Sequence, residues 1–222
     1  MPLQAILFDM DGVIADSEVM WNDIDATLLR EFGVTGDLDP ADKHAVMGAS
    51  FPIALGYYRD KYQLRTAMEE LIVRRTAIAG EYYAQRIPIF EDAPRVLTEL
   101  RDMGLKIGLG TSSIAAFVIP FLARHQLSAM FDDITTGEEV EKGKPNPDIY
   151  LLAARKAGAE PANCLVVEDA QAGVKAGKSA GCPVAAIPDV RFVKREDYVG
   201  RADYILNDLG EVPDLVRRLR AE

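Results

Sequence analysis

Apolar positions along this chain follow two rhythms. Short unbroken runs at residues 3–8, 106–111, 134–135, 164–168, 184–187 and 204–206 have the length and composition of buried strands. Helical patterns at 114–124, 147–157, 170–179 and 209–219 alternate with them. A further helix at 93–103 carries the stripe Val96, Leu97, Leu100 and Met103, and Gly104 is placed to stop it. Such alternation predicts βαβ units and an α/β fold built on a parallel sheet. Residues 17–85 lack strand runs and read as helices at 20–32, 40–47, 52–62 and 66–83. Asp39 can cap the second of these, and Pro40 takes its first helical position. The chain therefore makes one strand, leaves for a helical bundle and returns near 87–91 to build the rest of the sheet. Residues 1–16 and 87–222 are the expected core, and 17–86 the inserted helical cap. Ligands of an open α/β sheet bind outside the carboxyl ends of its strands, so an insertion leaving there reads as a lid; helices that merely pack on the sheet are the alternative.

Composition narrows the class. With 222 residues, 49% of them hydrophobic and 27% charged, the chain suits one large globular domain or a core with a smaller partner. No stretch is long and apolar enough to span a bilayer, and no basic leader precedes the first strand, so no membrane contact and a cytoplasmic location are expected. A net charge of −10 argues against nucleic acid and means that a phosphate site must create its own positive field. Cys164 and Cys182 are expected as buried, reduced thiols. His44 and His125, far apart in helix-like polar contexts, suit surface or cap-packing roles.

The strand ends carry the chemistry. The first run stops at Asp9-Met10-Asp11-Gly12-Val13. Asp9 and Asp11 point to one side of an extended chain, where like charges repel unless a cation or a shared proton intervenes. Gly12 lets the backbone turn away. The functional reading is a nucleophilic Asp beside an acid/base Asp, with Mg²⁺ between protein and a substrate phosphate; the plain reading is an Asp-Gly turn. A second strand ends in Thr111-Ser112-Ser113 before a helix, which suits an anion site or an ordinary N-cap. In Lys142-Gly143-Lys144-Pro145-Asn146-Pro147-Asp148 the prolines hold Lys144 near a helix start, where it can neutralise a carboxylate and a phosphoryl oxygen. Lys142 is a second basic group or a solvated one. A third buried strand exits at Glu168-Asp169, costly unless the pair binds a cation. Mg²⁺ takes hard oxygen ligands, and Asp9, Asp169 and the backbone carbonyl of Asp11 would supply them, with Glu168 acting directly or through water.

These four motifs, in this order and across nearly the whole chain, resemble the haloacid dehalogenase superfamily of phosphatases and phosphomutases. The resemblance implies a Rossmann-like parallel-sheet core with an α-helical cap inserted after the first motif. It implies Asp9 as nucleophile, Asp11 as acid/base, Thr111 and Lys144 as phosphate binders with Ser112 and Ser113 beside them, and Asp169 as metal ligand with Glu168 assisting. The expected reaction is attack by Asp9 on phosphorus, with Asp11 protonating the leaving alkoxide and then activating water.

The cap positions choose among members. Relatives acting as β-phosphoglucomutases carry a histidine on the first cap helix and an arginine after a Lys-Gly motif. The corresponding stretches here, Glu18-Val19-Met20-Trp21-Asn22 and Met47-Gly48-Ala49-Ser50-Phe51, hold neither basic group. Asp16, Ser17, Glu18 and Trp21 look more like sugar- and polyol-phosphate phosphatases. The expected activity is thus an Mg²⁺-dependent phosphatase on a small phosphorylated sugar, polyol or sugar acid. A phosphomutase on the same core, a metal-free dehalogenase and a non-enzymatic binding protein are its rivals, and a monomer or weak homodimer is expected. Trp21 faces substrate or packs inside the cap, and Arg59 and Lys61 contact substrate or solvent.

Overall fold

The computed structural model describes residues 3–36, 38–46 and 51–221, with the side chains of Pro40, Lys43, His44, Phe51 and Pro52 excepted. The elements, in order, are β1 (Ala5–Phe8), α1 (Trp21–Glu31), α2 (Pro40–Val46), α3 (Phe51–Lys61), α4 (Met68–Gln85), α5 (Ala93–Asp102), β2 (Lys106–Gly110), α6 (Ala115–Arg124), β3 (Asp133–Thr135), α7 (Asp148–Lys156), β4 (Cys164–Glu168), α8 (Gln171–Ser179), β5 (Val184–Ala186), β6 (Tyr204–Ile205) and α9 (Val212–Ala221). The chain divides into two compact units, Met1–Ser17 with Pro88–Glu222, and Glu18–Ile87. No helix among the described residues is long and apolar enough to cross a membrane.

The first unit is built on a six-stranded parallel sheet of order β3-β2-β1-β4-β5-β6. β1, and β4 as far as Val167, are apolar on both faces and wholly buried, which a central parallel strand requires. Register decides what happens beyond them. Phe8 lies level with Leu109 of β2 and with Val167 of β4. The residues that follow these three therefore emerge together at one edge, where the strand order reverses about β1. Behind them, Leu7, Tyr150, Ala153, Val166 and Val174 form part of one core cluster. Each fully buried large side chain there contributes about 1.5–3 kcal/mol. Gly104 closes α5 with φ +78°, and its N–H donates to the Arg101 carbonyl. The last helix starts later than its apolar pattern suggests. Residues Leu209–Glu211 form a 3₁₀ turn, and Pro213, lacking an N–H, sits in the first turn of α9. Cys164 and Cys182 are buried free thiols, and the His125 ring packs 4.8 Å from that of Phe121 at the end of α6.

The second unit is all helical. Asp39 caps α2 by accepting the Ala41 N–H at 2.9 Å. Its interior holds charge as well as apolar groups. Asp25 of α1 accepts Arg75 Nε at 2.7 Å and Nη2 at 3.1 Å from α4, and the Tyr58 hydroxyl at 2.9 Å from α3. The Arg75 guanidinium also lies 4.9 Å over the Trp21 ring, whose edge meets Tyr83. Asp42 of α2, fully buried, accepts Lys61, Tyr57 at 2.7 Å and Tyr62 at 2.5 Å. Lys61 is thus committed to a structural carboxylate, while Arg59 stays on the surface beside Asp60. The expectation for His44 and the stretch Met47–Ser50 lie outside the described side chains and residues.

Candidate active site

The edge above β1, β2 and β4 gathers the motif residues. Asp9 follows β1 directly, its N–H bonded to the Val167 carbonyl at 2.9 Å, and it is 7% exposed. Lys144 Nζ donates to Asp9 Oδ1 and to Glu168 Oε1, both at 2.7 Å. Carboxylate oxygens of Asp9, Glu168 and Asp169 lie within 4.8 Å of one another. Those donors are hard oxygens, the set a magnesium-sized cation accepts. Residues 9, 144, 168 and 169, distant in sequence, are therefore one cluster.

Glycines make room for it. A Cβ at Gly12, where φ is +78°, would stand 2.0 Å from Asp169 Oδ2. One at Gly173 in α8 would stand 1.6 Å from Glu168 Oε1. The Asp169 and Glu168 carboxylates thus occupy the space of two missing side chains.

Asp11 is not in the three-carboxylate group. Its Oδ2 accepts the Ser113 hydroxyl at 2.7 Å. Thr111, 1% exposed, continues β2 through its N–H to the Thr135 carbonyl at 3.0 Å, and its hydroxyl accepts the Ser113 N–H at 3.0 Å. The first N–H of α6, at Ala115, goes to Glu138 at 2.8 Å. Ser112 is exposed between them, as is Lys142 in its own loop.

Two tyrosines were not foreseen. The Tyr150 hydroxyl donates to Glu168 Oε1 at 2.7 Å, and Lys144 Nζ lies 4.9 Å from the centre of its ring. The Tyr198 hydroxyl donates to the Asp169 carbonyl at 2.5 Å. Tyr150 could have been found: it sits on the buried face of α7 just past the Lys-Pro-x-Pro segment, and a buried phenol needs an acceptor. Tyr198 ends a short 3₁₀ turn, Arg195–Tyr198, and carries no comparable signal.

Burial lifts the Asp9 carboxyl to about 7, with Glu168 and Asp11 adding to the rise and Lys144 opposing it. Burial pulls Lys144 down, but Asp9 and Glu168 outweigh it and hold the ammonium charged. Burial, then Glu168, keeps Tyr150 a neutral donor. Asp9 and Glu168 share Lys144, and an oxygen of Asp169 lies within 4.8 Å of both carboxylates, a crowding of hard oxygens that suits a cation.

A model of the haloacid dehalogenase-like hydrolase family matches residues 6–187. The chain belongs to that family. Among its relatives, YhcW of Bacillus subtilis is 34% identical over 215 residues, covering 95% of this chain and 94% of its own. Hexitol phosphatase B of Escherichia coli K12 is 26% identical over 200 residues, 85% of this chain and 88% of its own. In fold, this haloacid dehalogenase-like hydrolase is similar to the crystal structure of β-phosphoglucomutase from Clostridium difficile. The TM-score is 0.76 at 22% identity, covering 99% and 100% of the two chains.

Proposed function

We propose that this hydrolase is an Mg²⁺-dependent phosphatase of small phosphorylated sugars and polyols, working through an aspartyl phosphate on Asp9. The observation that carries the reading is the Lys144 ammonium 2.7 Å from both Asp9 and Glu168, beside a third carboxylate, Asp169. Asp9, Asp169 and the Asp11 carbonyl would hold the ion, with Glu168 in support; when bound it offsets the charge of the phosphoryl oxygens. Lys144, the Thr111 hydroxyl hydrogen and the Ser112 N–H hold the phosphate with its ester oxygen away from Asp9. An Asp9 oxygen bonds to phosphorus as the ester P–O bond breaks, and Asp11 gives its proton to the departing alkoxide. Asp11 then takes a proton from water, whose oxygen displaces Asp9 from phosphorus. We assign the helical unit, Glu18–Ile87, as the cap that chooses the leaving group. The hexitol phosphatase relative supports a polyol among the substrates.

Phosphate release from a panel of sugar, polyol and nucleotide monophosphates, with Mg²⁺ and with EDTA, tests this. Mg²⁺-dependent release from the sugar and polyol esters, absent in Asp9→Asn, is expected. Release that survives EDTA or the substitution, or an isomerised sugar phosphate in place of free phosphate, would overturn it.

A further inference from the structure

Arg191, in the segment after β5, reaches back 175 residues to Asp16. Its Nη2 meets Asp16 Oδ1 at 2.6 Å and its Nη1 meets Oδ2 at 3.2 Å. The same guanidinium holds Asp189 through Nε at 2.9 Å and Nη2 at 2.6 Å. Asp189 in turn accepts the Arg191 N–H at 3.0 Å, so the fork is fixed at its base. Two bidentate carboxylates leave this planar group one orientation.

What it grips is the loop that carries Asp11. The carbonyl of Met10 accepts the N–H of Ile14 and of Ala15, both at 2.8 Å, and Gly12 N–H meets the Ala15 carbonyl at 2.8 Å. Residues 10–15 are therefore a closed turn with no slack of their own. Asp16 ends the turn, its N–H bonded to the Pro88 carbonyl at 3.0 Å. On the Arg191 side the turn is not packed solid. Gly12 and Val13 border a cavity of about 250 Å³ that Phe90, Ile187, Asp189 and Arg191 also line. Val13, Ile14 and Ala15 are buried, and on the cavity side the Arg191 fork adds the side-chain anchor at the end of the turn, on Asp16. Partly exposed pairs of this kind contribute little to stability, so the fork acts through geometry.

We infer that Arg191 is a positioning residue: by fixing Asp16 it fixes the turn that aims the Asp11 carboxyl. This rests on the acid/base role proposed for Asp11, and the test separates the two. An alkoxide leaving group needs the Asp11 proton, whereas p-nitrophenolate departs as a stable anion. Arg191→Ala should lower kcat/KM for sorbitol 6-phosphate about 10- to 100-fold, with that for p-nitrophenyl phosphate nearly unchanged. Asp16→Asn should do the same, and the double variant should be no worse than either single one. Lys178→Ala, which breaks a surface pair with Asp203, serves as the control that moves neither. A merely structural role would lower both substrates alike; that outcome, or no loss at all, overturns the inference. Asp11→Asn must show the same leaving-group signature. If it does not, the acid/base reading fails and the inference falls with it; if it does and Arg191→Ala does not, the inference alone falls.

Discussion

Buried charge occurs in both units of this protein, and it differs in kind. Among the described residues of the helical unit, the two buried carboxylates are matched. Asp25 has a bidentate arginine and a phenol, and Asp42 has a lysine and two phenols. In the sheet unit one lysine serves Asp9 and Glu168, with Asp169 against them and Asp11 close by in sequence. The first arrangement is complete and holds helices together. The second gathers three carboxylates within 4.8 Å of one another at the carboxyl edge of the sheet, where ligands bind. Carboxylates given separate donors hold structure, and carboxylates crowded against one another mark a place for a cation.

Removing an acid from each side is the strongest way to break this contrast. Asp9→Asn is expected to cut turnover about 10⁴-fold or more. The same variant should melt no lower than wild type at pH 8 in EDTA, because the environment already disfavours the charged form. The sign follows from the raised carboxyl. The folded state holds a proton there up to about 7, so this group erodes wild-type stability as pH rises from about 4 toward 7. A lower melting temperature for Asp9→Asn would show that the charged carboxylate stabilises the fold after all. Arg75→Met probes the matched side and should cost about 3–5 kcal/mol in urea unfolding, since it strands Asp25. A loss below 1 kcal/mol would contradict that pairing. Tyr150→Phe removes one donor among several on Glu168, and about 1 kcal/mol of stability is expected to go with it. The smallest effect belongs to Asp42. Burial would raise its carboxyl, but hydrogen bonds from Lys61, Tyr62 and Tyr57 outweigh it and hold it below the usual range. Its contribution is present above about pH 4 and is lost as pH falls through the lower folded value. Asp42→Asn should flatten the acid limb of stability, measured as urea midpoint against pH.

Strand positions were legible because a buried parallel strand has to be a continuous apolar run; the expected run at 164–168 is β4 itself. Asp9, Glu168 and Asp169 were legible because charge at the exit of such a strand is costly without a purpose, and Lys144 because the prolines around it hold it near a helix start. Tyr150 and Tyr198 were not, since a phenol in an apolar stripe does not announce which acceptor it meets across the fold. Arg191 was silent for a similar reason: a loop arginine beside Asp189 looks solvated until the sheet order brings Asp16 to it. The matched network around Asp42 also depends on side chains from α2 and α3 meeting, which helical periodicity does not specify. The Thr-Ser-Ser segment fell between its two readings. Ser113 turns to Asp11, and Glu138 takes the first N–H of the helix.

Trp21 is the single tryptophan of the chain, and it lies on the guanidinium of Arg75 inside the helical unit. Its fluorescence therefore follows the packing around Arg75 in that unit, while circular dichroism follows the helices and strands of both. Monitored together in a denaturant series, the two signals would separate loss of the helical bundle from loss of the sheet in the unaltered protein, without an added dye.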